Sequence, residues 1–279
     1  MERKFVGAGV LAGLVAGILA YLFARIFIEP QVAKAIDYEE GRSAAEEAVV
    51  AAHSEGAHEH GAEVFTRSVQ ENIGAGVGTV IFALVMGAFF AVAFTVLWAY
   101  LGRYRPATDP RWAAAAVGVA GFISFFGVPY FAYPANPPAV GNDDTIGARS
   151  SAYLTITVAS LVFMIVAVVL ALWLAPRIGG LFGALAGAGA YLVAVTIAVW
   201  ALPSFDEMPQ PLTNDAGQIV FPGFPADVAA AFRGYAICNQ VILWTVLTTV
   251  FVLVLGRMMR RQPPSTQSPQ TAARVPATR

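Results

Sequence analysis

Charged residues are scarce in this chain. Of its 279 residues only 13% are charged and 57% are hydrophobic, whereas a soluble domain carries about 25% charged residues. The few charges lie in short clusters, and long apolar runs separate them. A net charge of −1 also gives no electrostatic footprint for nucleic-acid binding. The scarcity of charge therefore predicts a protein of the lipid bilayer with no nucleic-acid partner.

Sequence features of disulfide-bonded proteins and of common enzymes are missing as well. The only cysteine, Cys238, lies in an apolar run, so neither a disulfide framework nor a cysteine-based metal site is expected. No P-loop, G-x-S-x-G or H-E-x-x-H motif occurs. We therefore expect no catalytic residues, no bound cofactor and no ATP hydrolysis by this chain, and we expect that it is not an enzyme.

Six apolar runs are long enough to cross a bilayer as helices. A hydrocarbon core of about 30 Å needs about 20 apolar residues in a helix. The sequence therefore predicts an all-α, polytopic membrane helix bundle over residues 1–258 and a disordered cytoplasmic tail over 259–279. The predicted transmembrane spans lie near residues 5–28, 74–101, 112–132, 152–175, 180–203 and 232–256.

The basic residues predict the orientation of this bundle. With six spans, every loop rich in Lys and Arg falls on one side, which the positive-inside rule assigns to the cytoplasm. Both termini are then cytoplasmic, as expected for a multi-pass protein of the cell (plasma) membrane. The basic positions that define this side are Arg3, Lys4, Arg103, Arg105, Arg111, Arg177, Arg257, Arg260 and Arg261.

Glycines recur at every fourth residue in two of the spans. Small residues at this spacing let helix backbones approach closely. We expect tight packing within one subunit, and the alternative is an interface of a homo-oligomer. The two series are Gly9, Gly13 and Gly17 in the first span, and Gly179, Gly183 and Gly187 in the fifth.

The first outer loop, residues 29–73, holds the most distinctive segment. Its first part, 31–52, is predicted to be a helix that breaks or kinks at Gly41. All three histidines follow closely and alternate with glutamates. Imidazole and carboxylate together suit divalent first-row metals such as cobalt, nickel, zinc and copper. The predicted metal ligands are His53, His58, His60, Glu59 and Glu63, and the alternative is a solvated acidic linker.

Other polar candidates lie near the outer ends of the spans. Arg25 and Glu29 are about one helical turn apart, so they could pair. Asn239 lies deepest, where an amide more often hydrogen-bonds across helices than lines a pathway. The candidates for a pathway or for structural polar contacts are Arg25, Glu29, Asp143, Asp144, Asp227 and Asn239.

The second outer loop is rich in proline. Four prolines, from Pro129 to Pro138, predict a rigid backbone that is extended over much of its length.

These loops resemble those of the CbtA family of predicted cobalt transporter subunits, and the resemblance covers nearly the whole chain up to about residue 256. The segments that carry it are Phe23-Ala-Arg25-Ile-Phe-Ile-Glu29-Pro30, Ala35-Ile-Asp37-Tyr38-Glu39, Glu59-His60-Gly61-Ala-Glu63, Tyr133-Pro-Ala-Asn-Pro-Pro-Ala-Val-Gly141, Asp144-Thr-Ile-Gly147 and Phe221-Pro-Gly-Phe-Pro-Ala-Asp227.

The resemblance implies a role in cobalt uptake, supplying cobalamin synthesis, beside a small single-span partner of the CbtB type. The transported ion would be Co²⁺, with nickel as the neighbouring choice. The resemblance supplies no catalytic residues. A membrane scaffold or assembly factor that transports nothing is the alternative from another class, because packing glycines and rigid loops suit it equally well.

Overall fold

The computed structural model describes residues 2–51 and 74–260. Within them six helices are long and apolar enough to cross a membrane, which confirms the predicted all-α bundle of six spans. The longer helices are α1 (Glu2–Phe23), α2 (Glu29–Ala51), α3 (Ala75–Tyr104), α4 (Pro110–Gly121), α6 (Asp143–Ile178), α7 (Gly180–Ala201) and α8 (Ala226–Arg260). The shorter elements are two π-helical segments, π1 (Ala24–Ile28) and π2 (Phe122–Gly127), with α5 (Val128–Ala132), β1 (Leu212–Thr213) and β2 (Ile219–Phe221). Of the predicted tail, only Met259 and Arg260 are described, and they end α8.

One continuous helix joins the first span to the predicted outer loop. It runs through π1 and extends over the 49 residues from Arg3 to Ala51. At 1.5 Å per residue this is about 70 Å, more than twice the hydrocarbon thickness, so α2 projects from the membrane. The predicted break at Gly41 is wrong, since Gly41 lies inside α2. Its missing side chain makes room for Phe221, whose ring would lie 3.0 Å from a Cβ placed there.

The apolar core lies among α1, α3, α4 and α8. Helix α1 packs along both α3 and α8, and α4 packs against the other sides of these two helices. Alanines on α1 face aromatic rings on α3 and α8. The ring of Phe251 packs against Phe90 and Phe94, with centroids 4.9 and 5.0 Å away. Small side chains on one helix and large ones on its neighbours thus fill the core.

Glycine permits the close approach of α1 and α3. A Cβ on Gly9 would lie 2.2 Å from the carbonyl oxygen of Gly87, and one on Gly13 would lie 2.3 Å from that of Ala83. Both distances are far inside van der Waals contact, so a larger residue forces the helices apart. The predicted packing within one subunit is confirmed for the series from Gly9 to Gly17.

Helices α6 and α7 pack along each other as a helical hairpin. A Cβ on Gly183 would lie 2.8 Å from the carbonyl oxygen of Ala171, which confirms close packing in the fifth span. Gly179 does not belong to this packing face. It separates the two helices at φ +91°, in the left-handed region that favours glycine. The hairpin contacts the rest of the bundle chiefly through α5 and π2.

The two ends of the bundle differ in charge. At one end, here called the basic end, a Cβ on Gly180 would lie 3.8 Å from Nη1 of Arg105, and one on Gly256 would lie 3.3 Å from Nη2 of Arg111. Arg105 and Arg111, at the two ends of the α3–α4 connection, therefore lie beside the start of α7 and the last turns of α8 at this end. The opposite end, here called the loop end, carries α2, the connection 133–142 and the connection 202–225 with its small β1–β2 hairpin.

The proline-rich connection only partly follows the prediction. Pro129 is buried in α5, inside the continuous helical span Pro110–Ala132. The predicted extended conformation is therefore wrong at this residue. The later prolines, Pro134, Pro137 and Pro138, lie in the non-helical stretch between α5 and α6 as expected. A turn closes there, with the N–H of Val140 donating to the carbonyl oxygen of Pro137 at 3.2 Å.

The Gly13→Ala and Gly7→Ala variants test the close approach of α1 and α3. Gly13→Ala is expected to lower the free energy of unfolding by about 1–3 kcal/mol, because the new methyl group meets the backbone of Ala83. Gly7 has open space at the Cβ position, so Gly7→Ala should be neutral or slightly stabilising through helix propensity. Thermal unfolding in detergent measures both, and equal effects would contradict the packing described.

Candidate functional site

At the loop end, α2 is fixed to the long connection 202–225. The hydroxyl of Tyr38 donates to the carbonyl oxygen of Pro222 at 3.1 Å, and its ring packs against Phe224 with centroids 4.9 Å apart. One turn further, Nη1 of Arg42 donates to the carbonyl oxygen of Gln210 at 2.8 Å. Helix α2 is therefore held in a defined position over the bundle.

A buried carboxylate, Glu207, organises the other connections at this end. Its side chain is only 4% exposed, and Nε of Arg149 lies 3.0 Å from its Oε2. Nδ2 of Asn136 also donates to Oε2 at 3.1 Å, and Oγ1 of Thr145 donates to Oε1 at 3.0 Å. Buried charge is tolerable only when paired and hydrogen-bonded in this way. The carboxylate thus joins the 202–225 connection to α6 and to the 133–142 connection.

A second arginine extends these contacts to α8. Nη2 of Arg233 donates to Oδ1 of Asn136 at 2.9 Å, and its Nε donates to the carbonyl oxygen of Ala135 at 3.3 Å. The Tyr130 hydroxyl donates to the backbone carbonyl of Arg233 at 2.9 Å. Asn136 therefore links Arg233 to Glu207 through its amide. We call Glu207, Arg149, Asn136, Thr145 and Arg233 the Glu207 network.

Tyr133 ties the same connections together by a further hydrogen bond. Its hydroxyl donates to the carbonyl oxygen of Pro203 at 2.7 Å. Burial raises the pKa of this phenol, and the positive charge of Arg149 partly opposes the rise. The hydroxyl therefore stays protonated and able to donate at neutral pH.

A polar groove of about 430 Å³ opens beside the junction of π1 and α2. Arg25, Glu29, Asp37 and Glu40 supply its charged groups. Three carboxylates against one guanidinium favour cations in the groove. No group of three or more His, Cys, Asp or Glu side chains among residues 2–51 and 74–260 is arranged to hold a metal ion. Within these residues the groove is thus suited to attracting cations rather than to chelating them.

The predicted polar candidates separate into two groups. Arg25 and Glu29 come together as lining residues of the polar groove. Asp144 and Asp227 are exposed near the N-termini of α6 and α8, where a carboxylate favours the helix dipole. Neither lines the groove. The backbone of Asp143 begins α6, and its side chain lies outside what the structure describes.

The predicted metal ligands lie outside the described residues. His53, His58, His60, Glu59 and Glu63 all fall within 52–73, between the end of α2 and the start of α3. Their assignment therefore stays a prediction.

Within the part of the chain that the structure describes, the side-chain oxygen of Asn239 does not make the hydrogen bond across helices that the sequence predicted. Its amide oxygen is buried and has no hydrogen-bond partner among the described residues, so the expected bond across helices is absent at this atom. The side chain lies on α8, one turn beyond Tyr235, whose ring packs against Phe27 of π1 with centroids 5.6 Å apart. We have no physical account of this unpaired oxygen.

The interior of the bundle is almost wholly apolar. Within the six described membrane-spanning helices, the polar residues that are buried as whole residues are Ser124 and Ser160. Oγ of Ser124 donates to the carbonyl oxygen of Ala120, and Ser160 shares a 2.7 Å hydrogen bond with Tyr191. Both serines are thus satisfied locally, and the described core shows no chain of polar groups from one end to the other.

The Glu207 network was missed at the sequence level. Its members are far apart in the chain: Asn136 and Glu207 are separated by 71 positions, and Asn136 and Arg233 by 97. Asn136 does stand in the proline-rich segment that carries the family resemblance, which was the available signal. Glu207 follows the exposed Asp206, and no local motif in the sequence singles it out.

Six apolar helices, a charged loop end and a basic end together define a multi-pass membrane protein. The chain belongs to the CbtA family, described as a probable cobalt transporter subunit, and the match covers residues 2–255. Comparison with curated proteins and with solved structures found no match. The family thus extends over all six spans and both long connections at the loop end.

Glu207→Gln tests the network against its exposed neighbour, Asp206→Asn. Removing the negative charge leaves Arg149 without its ion-pair partner, so we expect a loss of about 1–3 kcal/mol in unfolding free energy. The same charge change at exposed Asp206 should cost little. Thermal unfolding of both variants in the same detergent is the measurement. If Glu207→Gln were as stable as Asp206→Asn, the network would be peripheral to the fold.

Proposed function

We propose that this chain is the membrane subunit of a cobalt uptake transporter, taking Co²⁺ at the loop end and serving cobalamin synthesis. The observation that carries the proposal is the family match over residues 2–255. The charge asymmetry of the two ends supports the direction of transport.

The basic end is proposed to face the cytoplasm, with both termini on that side. Lys and Arg are enriched in cytoplasmic loops. Arg105 and Arg111 flank the α3–α4 connection and approach Gly180 at the start of α7 and Gly256 near the end of α8. The loop end, with the polar groove and its excess of carboxylates, then faces outward. A cation approaching from outside meets negative charge first.

The ligands proposed for the ion are His53, His58, His60, Glu59 and Glu63. Helix α2 is held over the bundle by Tyr38 and Arg42 and ends at Ala51, two positions before the first of these histidines. Imidazole and carboxylate donors suit cobalt and nickel alike. The preference for cobalt over nickel rests on the family description.

A second chain is proposed to complete the ion path. The family is described as a subunit, and the described core offers no continuous series of polar groups. A small single-span protein of the CbtB type is the proposed partner. The sequence carries no P-loop, so ATP hydrolysis would have to be supplied by another chain.

A scaffold or assembly factor is the second candidate function. The apolar interior of the described residues favours it, because an ion path through this chain alone would need buried polar groups. The satisfied hydrogen bonds of the Glu207 network are also consistent with a rigid platform. Uptake and metal binding separate the two candidates.

Uptake of radioactive Co²⁺ into cobalt-limited cells tests transport. Cells that express the protein together with its small partner should accumulate more cobalt than cells that lack either chain, and deletion should abolish the increase. Nickel uptake measured in parallel reports the choice of metal. Unchanged cobalt uptake after deletion would rule out the transporter and leave the scaffold.

Calorimetry with Co²⁺ on the full-length protein tests the ligands. Replacing His53, His58 and His60 by alanine should weaken binding by more than about tenfold, since even changes behind the ligands cost that much. A matched control replaces Glu46 and Glu47, exposed acids on α2, by glutamine. Equal weakening by both variants would mean that the loop attracts cations without binding them.

A further inference from the structure

A groove of about 300 Å³ runs along the membrane-facing side of the bundle between α4 and α8. It is lined mainly by small and apolar side chains, and Val119 on its wall is 61% exposed. Thr245 and Thr249 line the α8 side and are exposed as well. The groove therefore opens toward the lipid.

The two helices touch tightly at the floor of this groove. A Cβ on Gly118 would lie 2.1 Å from Oγ1 of Thr248, and one on Gly121 would lie 2.3 Å from the ring of Trp244. These pairs show that α4 and α8 run in opposite directions. Following α4 from Gly118 toward its start leads to the basic end.

A basic side chain stands at that end of the groove. Arg111 is the second residue of α4, and a Cβ on Gly256 of α8 would lie 3.3 Å from its Nη2. Arg111 is exposed, one turn of α4 away from Ala115 of the groove lining. Arg257 follows Gly256 and is also exposed, while Trp112 is 75% exposed beside Arg111. An aromatic ring and cationic groups at a helix end are typical of the headgroup level.

The charges that face this position are not all positive. The carboxylate of Asp109 caps α4, with its Oδ1 accepting a hydrogen bond from the backbone N–H of Arg111 at 2.8 Å. It is therefore engaged with the backbone, and the guanidinium of Arg111 extends toward α8.

The shape of the groove selects its occupant. From Ala115 to Phe122 it extends about 10 Å along α4, and at its floor Gly118 and Gly121 contact Thr248 and Trp244. A helix about 10 Å wide would rest on the rim. A single hydrocarbon chain is thin enough to lie along the floor, and the basic end of the groove suits an anionic headgroup.

We infer that the α4–α8 groove and Arg111 form a site for an anionic phospholipid. The phosphate binds Arg111 and the adjoining Arg257, and one acyl chain lies in the groove along Ala115, Gly118 and Val119. Cationic residues at helix ends attract anionic headgroups of the cytoplasmic leaflet. The site depends on the orientation proposed above for the basic end and is independent of any transport activity.

Lipid binding to the purified full-length protein tests this site by native mass spectrometry. The probes are phosphatidylglycerol and phosphatidylcholine with identical acyl chains, titrated into lipid-depleted protein. Arg111→Gln should lower binding of phosphatidylglycerol about fivefold, the contribution of one basic residue near an anionic surface. It should lower binding of phosphatidylcholine less, because the choline cation offsets the phosphate charge. Val119→Trp, at an exposed position that tolerates a large ring, should lower binding of both lipids by filling the groove.

Arg103→Gln is the matched control, because Arg103 lies at the basic end in the last turn of α3 and outside the groove. It should leave the binding of both lipids unchanged. If Arg103→Gln weakened phosphatidylglycerol binding as much as Arg111→Gln, diffuse surface charge would explain the effect and the site would be wrong. Loss of a co-purifying single-span protein from Val119→Trp, with lipid binding unchanged, would assign the groove to a partner helix instead.

Discussion

The close contact between α1 and α3 is the constraint on which the rest of the structure depends. Lipid offers no hydrophobic force between apolar helices, so association in a bilayer depends on close van der Waals packing. Here the carbonyl oxygen of Gly87 occupies the place where any larger residue at position 9 would put its Cβ. Because α1 continues through π1 into α2, this contact also fixes the direction in which α2 leaves the membrane. The position of the polar groove beside α2 therefore follows from a contact deep in the bilayer.

At the loop end, directional polar contacts join the connections, whereas apolar packing holds the helices of the core together. There the connections contribute little to the main apolar core, and a smaller apolar cluster around Tyr38 and Phe224 holds α2. Beside it, Glu207, Arg149 and Asn136 join the connections by hydrogen bonds and charge. Such interactions need specific geometry, so they fix the shape of a surface that hydrophobic burial alone would leave variable. That surface belongs to the loop end, which is the end proposed to receive the ion.

The sequence predicted those parts of the fold that depend on composition and regular spacing. The length of the apolar runs predicted the six spans, and the glycine spacing predicted that the first span packs closely within one subunit. The distribution of arginine predicted that basic residues gather at one end of the bundle. It failed where a residue's role depends on a distant neighbour. Gly41 looked like a helix breaker because its partner Phe221 lies far along the chain. Glu207 was not among the predicted candidates, because Arg149 and Asn136 approach it only after folding. The predicted histidine ligands lie in 52–73, outside the described residues, and remain a prediction.

The π1 segment separates two different packing demands on one helix. Before π1 in the chain, the glycines of α1 must face α3. After π1, Ala35 and Tyr38 of α2 must face Phe224. A π-helical turn holds one residue more than an α-helical turn, and each residue rotates a helix by about 100°. Ala24–Ile28 thus sets the rotation about the helix axis between two packing faces: the glycine face of α1, which contacts α3, and the face of α2 that contacts Phe224. Related chains that conserve both faces are constrained in the number of residues between them, even where the residues themselves vary.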